Sequence, residues 1–553
     1  MIKKITFFLL LVTAYTTVNG QGKLGPITIT HGEEIEADKE TIVRIAGETN
    51  GKIYTLATKG KNYFIKVFNS ENMDLVSVNE IEMDDFIDKE PVFEEIAVLN
   101  NRIYIIGSVY DRKNKINNLL AVEISEEGKL TSNTKKLFST EVTKNREKGA
   151  FYFKHSPNQD KLLIMHASLF DKEEIMQYEI KLINENLDIV TSHLEKVSFE
   201  DRRDLEFAIS DFDVTFQDDI FLVINESYRE RKEKKNIEKF EVHAFKKANN
   251  YAKEVINIDF TGKEVINCEM LMTADNTLNL VGFYSSVNKR GKANWKLKGI
   301  YSATINASVN EVTNLKFNVF DLETKTKLIG ERRAKKDKDI PPFYSTHSLI
   351  EKEDGGLIFL AEYRQSIIGR SSGIGIGGLG VSFTPITFFT NEIIVTSLNA
   401  DGSVEWANVL AKDQKASFTT MSLGMYSFSN GSNFSVGVGI SIPLAVLGKG
   451  PEYLGAIPIY NNGELTVVFN DNKKNMGVTD IEEIKTLGNY NKAIPTAFTF
   501  DRTNGDISRI DPEELQKDQL ILRPGVYHIK TDKEYLIYSS RRSEDKLGRM
   551  TID

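Results

Sequence analysis

Three histidines, His155, His347 and His528, fall on strand-like segments of an all-β pattern that would line the centre of a ring, where converging imidazoles make a metal site. Their offsets from the turns that follow differ, so a shared ion is not expected. The sequence has no His-Glu-x-x-His and no paired ligand spacing. Asp211-Phe212-Asp213 sets two carboxylates on one face of a strand, with Asp218 and Asp219 in the next turn. Calcium accepts such oxygen ligands, but no EF-hand spacing is present, and solvated charge is the ordinary reading. Asp471-Asn472-Lys473-Lys474-Asn475 reads as a polar loop. Cys268, the single cysteine, lies in an apolar stretch and reads as a buried, inert thiol.

Two catalytic patterns match by letter alone. Gly373-x-Gly375-x-x-Gly378 fits the dinucleotide fingerprint and Gly369-x-Ser371-x-Gly373 the nucleophile elbow. Each requires a strand-to-helix turn in an α/β sheet, and the repeated glycines here oppose a helix. Neither is taken as a site, and neither a cofactor nor a metal is expected.

What positions these residues is a repeated group of strands. Apolar second strands are expected at residues 53–57, 103–107, 162–166, 220–224, 278–282, 357–360, 465–469 and 535–538. Each follows a turn such as Asn50-Gly51 or Asp354-Gly355-Gly356, where Asn, Asp and Gly tolerate the left-handed backbone of a tight hairpin. Third strands alternate, as in Phe240-Glu241-Val242-His243-Ala244-Phe245, and fit one buried face. The second strands are uniformly apolar and fit burial on both faces. Spacings of roughly 50 to 60 residues through the first five units, longer thereafter, with up to four strands in each, fit propeller blades. The expectation is an all-β single propeller of eight blades, with seven as the alternative count and paired β-sandwiches as the competing fold. The strand at 27–35 is expected to complete the last blade and close the ring. Short helices are expected only in connections, at 324–339 and 480–487.

Two Gly-rich, apolar insertions interrupt this repeat, at 367–383 and 432–454. One reading pairs them with each other as a layer over one face of the ring. The other exposes Ile374, Ile376, Leu379, Phe383, Val438, Ile440, Leu444 and Leu447 to a partner.

The chain has 553 residues, 41% apolar and 27% charged, with a net charge of −9, which opposes nucleic acid or an anionic membrane as a general partner. The basic stretches 229–235 and 332–338 lack the interleaved aromatics that stack bases and read as solvated charge. Lys3 and Lys4 precede an apolar run at 5–12, too short to span a bilayer, followed by small and polar residues up to Gly20. Residues 1–20 are therefore expected to be a cleaved signal peptide and 21–553 the exported propeller. No transmembrane segment is expected.

The stretch from Asn391 to Trp406, the Lys412-Asp413-Gln414 after it, and Phe469-Asn470-Asp471-Asn472 with Asn475 resemble exported propeller-like proteins of Bacteroidetes. That resemblance implies a location in the periplasm, at the outer cell surface or in the medium, and brings no assigned activity. The leading expectation is a non-enzymatic exported scaffold that binds a protein or glycan through loops on one face. The alternatives are a propeller-type polysaccharide hydrolase or lyase, and a structural component of the cell envelope. An enzyme would require acidic or histidine side chains converging in one concave pocket.

Overall fold

The chain folds into eight mostly antiparallel sheets arranged as the blades of a single propeller, with 68% of the described residues in strands and 5% in helices. The computed structural model describes residues 21–35, 40–60, 62–82, 91–142, 145–170, 175–198, 202–230, 232, 236–273, 275–288, 292–368, 372–376, 379–420, 433–436, 453–513, 521–541 and 544–552. Of residues 21, 145–146, 202–206, 368, 372–376, 379–385, 418–420, 433–436 and 490 only the backbone is described.

Blades are numbered along the chain and their strands a to d from the channel outward. The a strands are Thr41–Thr49, Val92–Leu99, Ala150–His155, Arg202–Val214, the interrupted pair Lys263–Val265 and Glu269–Met272, Tyr344–Glu351, Ala456–Asn461 and Ile521–Thr531. Each b strand is buried on both sides because its alternate residues enter the two neighbouring inter-blade cores. In Lys52–Lys59, Tyr54 and Leu56 pack towards blade 2, while Ile53 and Ala57 pack towards blade 8. This division explains why the b strands are apolar without alternation.

The ring closes as the sequence suggests. Ile27–His31 pairs with the last strand, Glu544–Ile552, with Ile27 opposite Ile552 and His31 opposite Gly548. A further strand, Gln21–Leu24, turns back on Ile27–His31 and gives blade 8 five strands. The a strand of blade 8 packs against that of blade 1.

The helix expected near 324–339 is present as Leu322–Ile329 and Glu331–Ala334, started by Asp321, whose carboxylate accepts from Thr324 N at 2.6 Å. The helix expected at 480–487 is replaced by turns. Asn475 takes Lys485 N and O, Asn472 takes Thr486 O, and Leu487 N donates to Asp413 O, so the bonds a helix would need are committed elsewhere.

Up-and-down order places the a–b and c–d turns on one face. The b–c loops and the links to the next blade lie on the other face. The first insertion joins strands b and c of blade 6, and the second links blade 6 to blade 7, so both leave from the same face. Among the described residues they do not pair with each other as one reading expected. Ser372–Ile376 folds back on Leu379–Leu398, giving the first insertion its own hairpin partner. Asn433–Val436 runs parallel to Glu206–Ile209 on the channel side of blade 4, where the a strand has an open edge.

Candidate functional site

Charged side chains from three successive a strands, with a threonine from the next, meet on one arc of the channel. Lys154 comes from blade 3, Asp211 and Asp213 from blade 4, Glu269 from blade 5 and Thr346 from blade 6. Lys154 Nζ lies 3.5 Å from Asp211 Oδ1. Asp211 also accepts from Phe212 N at 2.8 Å and from Met270 N at 3.0 Å, which ties blade 4 to blade 5. A bulge between Ile209 and Asp211 shifts the register just before these carboxylates. The two aspartates share a face, as their spacing predicts, but Asp211 is buried and paired rather than solvated.

The arc holds three carboxyls against one ammonium, and their protonation reflects it. Burial pushes Asp213 up to about 6, with Lys154 opposing and Asp211 reinforcing. Burial and then the Asp211 charge push Glu269 up to about 7, although Thr346 donates a hydrogen bond to it. Burial also raises Asp211, against the pull of Lys154. Burial works against the Lys154 ammonium, yet Asp211, Asp213 and Glu269 hold its pKa above the ordinary lysine range. Near neutral pH the arc therefore presents protonated and ionised carboxyls side by side. A neutral carboxyl both donates and accepts a hydrogen bond, as a sugar hydroxyl does, and an acid beside a carboxylate is also the pairing that acid–base chemistry uses.

A second group lies where blades 6, 7 and 8 meet. His347 is the extra residue of a bulge between Thr346 and Ser348, and its Nε2 is 3.1 Å from Ala456 O. The carbonyl can only accept, so Nε2 carries the proton and Nδ1 a lone pair, which has no partner. Glu362 accepts from Arg364 Nε at 2.6 Å and lies 2.9 Å from Lys412 Nζ, with the Glu362 and Lys412 side chains 0% exposed. Burial would raise Glu362, but Lys412 and Arg364 bring it down to about 2. Tyr527 of blade 8 adjoins this group, within the fields of Arg364 and Glu362.

The three channel histidines divide between two sectors. His155 lies near the Arg44–Glu95 ion pair and within the field of His528, and burial lowers both imidazoles. His347 stands apart with Glu362. Among the described residues no group of three or more His, Cys, Asp or Glu side chains has a metal-holding arrangement. Cys268 is buried, as expected, and burial pushes its thiol up.

The residues behind the sequence resemblance are mostly structural. Gln414 Nε2 donates to Asn470 O at 2.7 Å, and Asn470 Nδ2 donates to Tyr453 O and Leu522 O, joining blades 6, 7 and 8. The expected polar loop at 471–475 is a buried clamp instead. Asp471 and Asn475 are each 1% exposed and bind each other, Arg509 and the 485 backbone.

Of the apolar residues proposed for contact, Ile374 and Ile376 lie on Ser372–Ile376, while Leu379 and Phe383 lie on Leu379–Leu398, with backbone only described. Val438, Ile440, Leu444 and Leu447 lie outside the described residues. Sequence reasoning missed Lys154, Glu269 and Thr346. The signal available was a charged residue inside an a strand, legible only once the a strands are aligned by blade.

No protein-family model matches the chain, and no curated protein matches it. Among solved structures it is similar to the WD40 domain of SCAP from fission yeast, at 7% identity and a TM-score of 0.34, covering 94% of each chain. It is also similar to a polysaccharide lyase, a PL25 ulvan lyase, at 8% identity and a TM-score of 0.32, covering 69% of this chain and 96% of that one. A third is the β-propeller domain of the trilobed protease from Pyrococcus furiosus, at 9% identity and a TM-score of 0.31, covering 68% and 94%. At such TM-scores these likenesses carry no argument about function. Among the described residues no helix is long and apolar enough to cross a membrane.

Proposed function

We propose that the protein is an exported propeller that binds a glycan, with the ring as a rigid scaffold and the acidic arc of the channel as its contact. The observation that carries this reading is the convergence of Lys154, Asp211, Asp213 and Glu269 from three adjacent a strands, with Thr346 on the next. Carboxyls held near their pKa match the donor-and-acceptor character of hydroxyl groups, whereas a set of fully ionised carboxylates would select cations. The two insertions leave from one face of the ring, and the sequence's apolar candidates for further contact are Ile374, Ile376, Leu379 and Phe383 in the first and Val438, Ile440, Leu444 and Leu447 in the second. Export rests on the Lys3-Lys4 start and the apolar run after it.

The test is calorimetric titration of the chain from Gln21 onward with a panel of neutral hexasaccharides based on glucose, xylose, mannose and arabinose. Asp213→Ala and Glu269→Ala should each weaken binding about tenfold or more, the loss of one good hydrogen-bonding partner. Full affinity in both variants, or no binding by the parent protein, overturns the reading.

A second reading is hydrolysis of that glycan, favoured by the placing of Asp213 and Glu269, with raised pKa values, beside the Lys154-bound Asp211. Release of shorter sugars from the bound hexasaccharide, lost in Glu269→Gln, would establish it. Intact ligand after prolonged incubation would exclude it.

A further inference from the structure

A second cluster, outside the channel arc, lies on the face from which both insertions leave. Glu94 is the extra residue of a bulge in the a strand of blade 2, between Phe93 and Glu95. Bulges re-aim a side chain, and this one lets Glu94 and Glu95 serve different surroundings. Glu95 turns to Arg44 on the channel side, while Glu94 accepts from Ser108 Oγ at 2.5 Å.

Around Glu94 stand aromatic side chains from three blades. Tyr63 begins strand c of blade 1 and stacks on Phe93, with ring centroids 5.3 Å apart. Tyr152 is near the start of the a strand of blade 3, and both phenols lie within the field of Glu94. Tyr110, at the end of strand b of blade 2, lies under Lys148 Nζ, which is 5.1 Å from the ring centroid. Strand direction places all of these at the insertion face. Tyr63, Glu94, Tyr110, Lys148 and Tyr152 are all half-buried, so each keeps part of its surface open to a ligand.

The charges select among ligands. Lys148 faces Glu94 and opposes a cationic guest. Burial pushes Glu94 up to about 7, so near neutral pH its carboxyl is partly protonated, and in that form it both donates and accepts. Tyrosine rings offer flat apolar faces edged by a polar hydroxyl, the surface that stacks on one side of a pyranose.

We propose that Glu94, Tyr63, Tyr110 and Tyr152 form a second contact for a neutral sugar residue, distinct from the channel arc and on the face that carries both insertions. The proposal rests on the glycan reading above and extends it from one site to two.

The experiment uses the same hexasaccharide titrations on the chain from Gln21 onward, together with tetramethylammonium as a cationic probe. Glu94→Ala and Tyr110→Ala should each weaken sugar binding about tenfold, while Glu94→Gln, whose amide also donates and accepts, should stay within about threefold of the parent. Tyr152→Ala should act like Tyr110→Ala. Tyr152 packs partly against the core, so the Tyr110 variant decides if that protein fails to fold. Tetramethylammonium should not bind. Parent-like affinity in Glu94→Ala and Tyr110→Ala, with binding still lost in Asp213→Ala, overturns this contact and leaves the channel reading standing. Tetramethylammonium binding that disappears in Glu94→Gln overturns it in favour of a cation cage. Failure of the parent protein to bind any of the sugars overturns both.

Discussion

Arg509 Nη1 lies 2.8 Å from Asp471 Oδ2, and each of the two side chains is 2% exposed. The pair locks strands b and d of blade 7 to the loop after residue 472, because Arg509 also donates to Val478 O and Asp471 accepts from Asn475. Asp511 also accepts from Arg509 Nε at 2.8 Å, so removing Asp471 leaves the guanidinium partly paired, at a cost of about 1–3 kcal/mol. Asp471→Ala should lose about that much in urea unfolding. A loss below about 1 kcal/mol would mean that water or a neighbour replaces the carboxylate.

Gly505 packs against Trp406 with φ +72, and a Cβ there would stand 2.3 Å from Trp406 Cε3. The indole is fixed by a bond from Nε1 to Arg502 O at 3.1 Å and stacks on Phe500 with an interplanar angle of 7°. Gly505→Ala combines an unfavourable backbone with a clash, for an expected loss of about 2 kcal/mol or more. Trp406 is one of two tryptophans, so a shift in intrinsic fluorescence should accompany the loss. An unchanged spectrum with unchanged stability would contradict the packing.

Ring closure depends on a strand from the opposite end of the chain. Leu24, Ile27 and Ile29 are 2%, 0% and 7% exposed, and burial of each contributes about 1.5–3 kcal/mol. A chain that begins at Gly32 should therefore unfold at markedly lower denaturant and, with the edge Glu544–Ile552 open, should aggregate more readily. A monomeric truncated protein with the parent's midpoint would refute this closure.

The channel carboxyls give stability a definite pH dependence. Asp213 at about 6 and Glu269 at about 7 lie above their ordinary values in the folded ring. Between the ordinary carboxyl range and those values the folded state holds protons that the unfolded chain has released. Their contribution is therefore full at low pH and is lost as pH rises to about 6 and 7. Glu269→Gln should be more stable than the parent at pH 7.5 and no more stable at pH 4.5, by urea unfolding at both. The opposite order would mean that Lys154 holds Glu269 ionised.

The repeat made the ring legible in sequence, because the Asn, Asp and Gly turns before each b strand report local backbone needs. The closing strand was legible because 27–35 alternates outside any of the repeated strand groups, although its hairpin partner Gln21–Leu24 was not. The channel arc was not. Asp211 and Asp213 stand in one tripeptide, but Lys154 and Glu269 are more than fifty residues away on either side, and only the ring brings them together. The clamp at 471–475 was misread for a related reason. A run of Asp, Asn and Lys looks solvated until Arg509 and the 485 backbone close over it. The tyrosines around Glu94 come from three blades and gave no local signal at all.

His347 offers the sharpest single-residue test of the channel. Nε2 faces Ala456 O, and burial, with Arg364 and Lys412 nearby, lowers the imidazole pKa below its ordinary value despite the opposing Glu362. Two consequences can be measured separately. Nitrogen-15 shifts should report the Nε2-protonated neutral tautomer at pH 6.5, assigned by its absence in His347→Gln. Acidification should also cost stability through this residue. Its folded pKa is depressed, so below the ordinary histidine value the unfolded chain takes up a proton that the folded ring resists. That contribution declines as pH falls from the ordinary value towards the folded one. His347→Gln removes the term, so the gap between variant and parent should narrow or reverse from pH 7 to pH 5. A protonated imidazole at pH 6.5 would instead mean that Glu362 outweighs both cations, and the field at the junction of blades 6, 7 and 8 would be negative rather than positive.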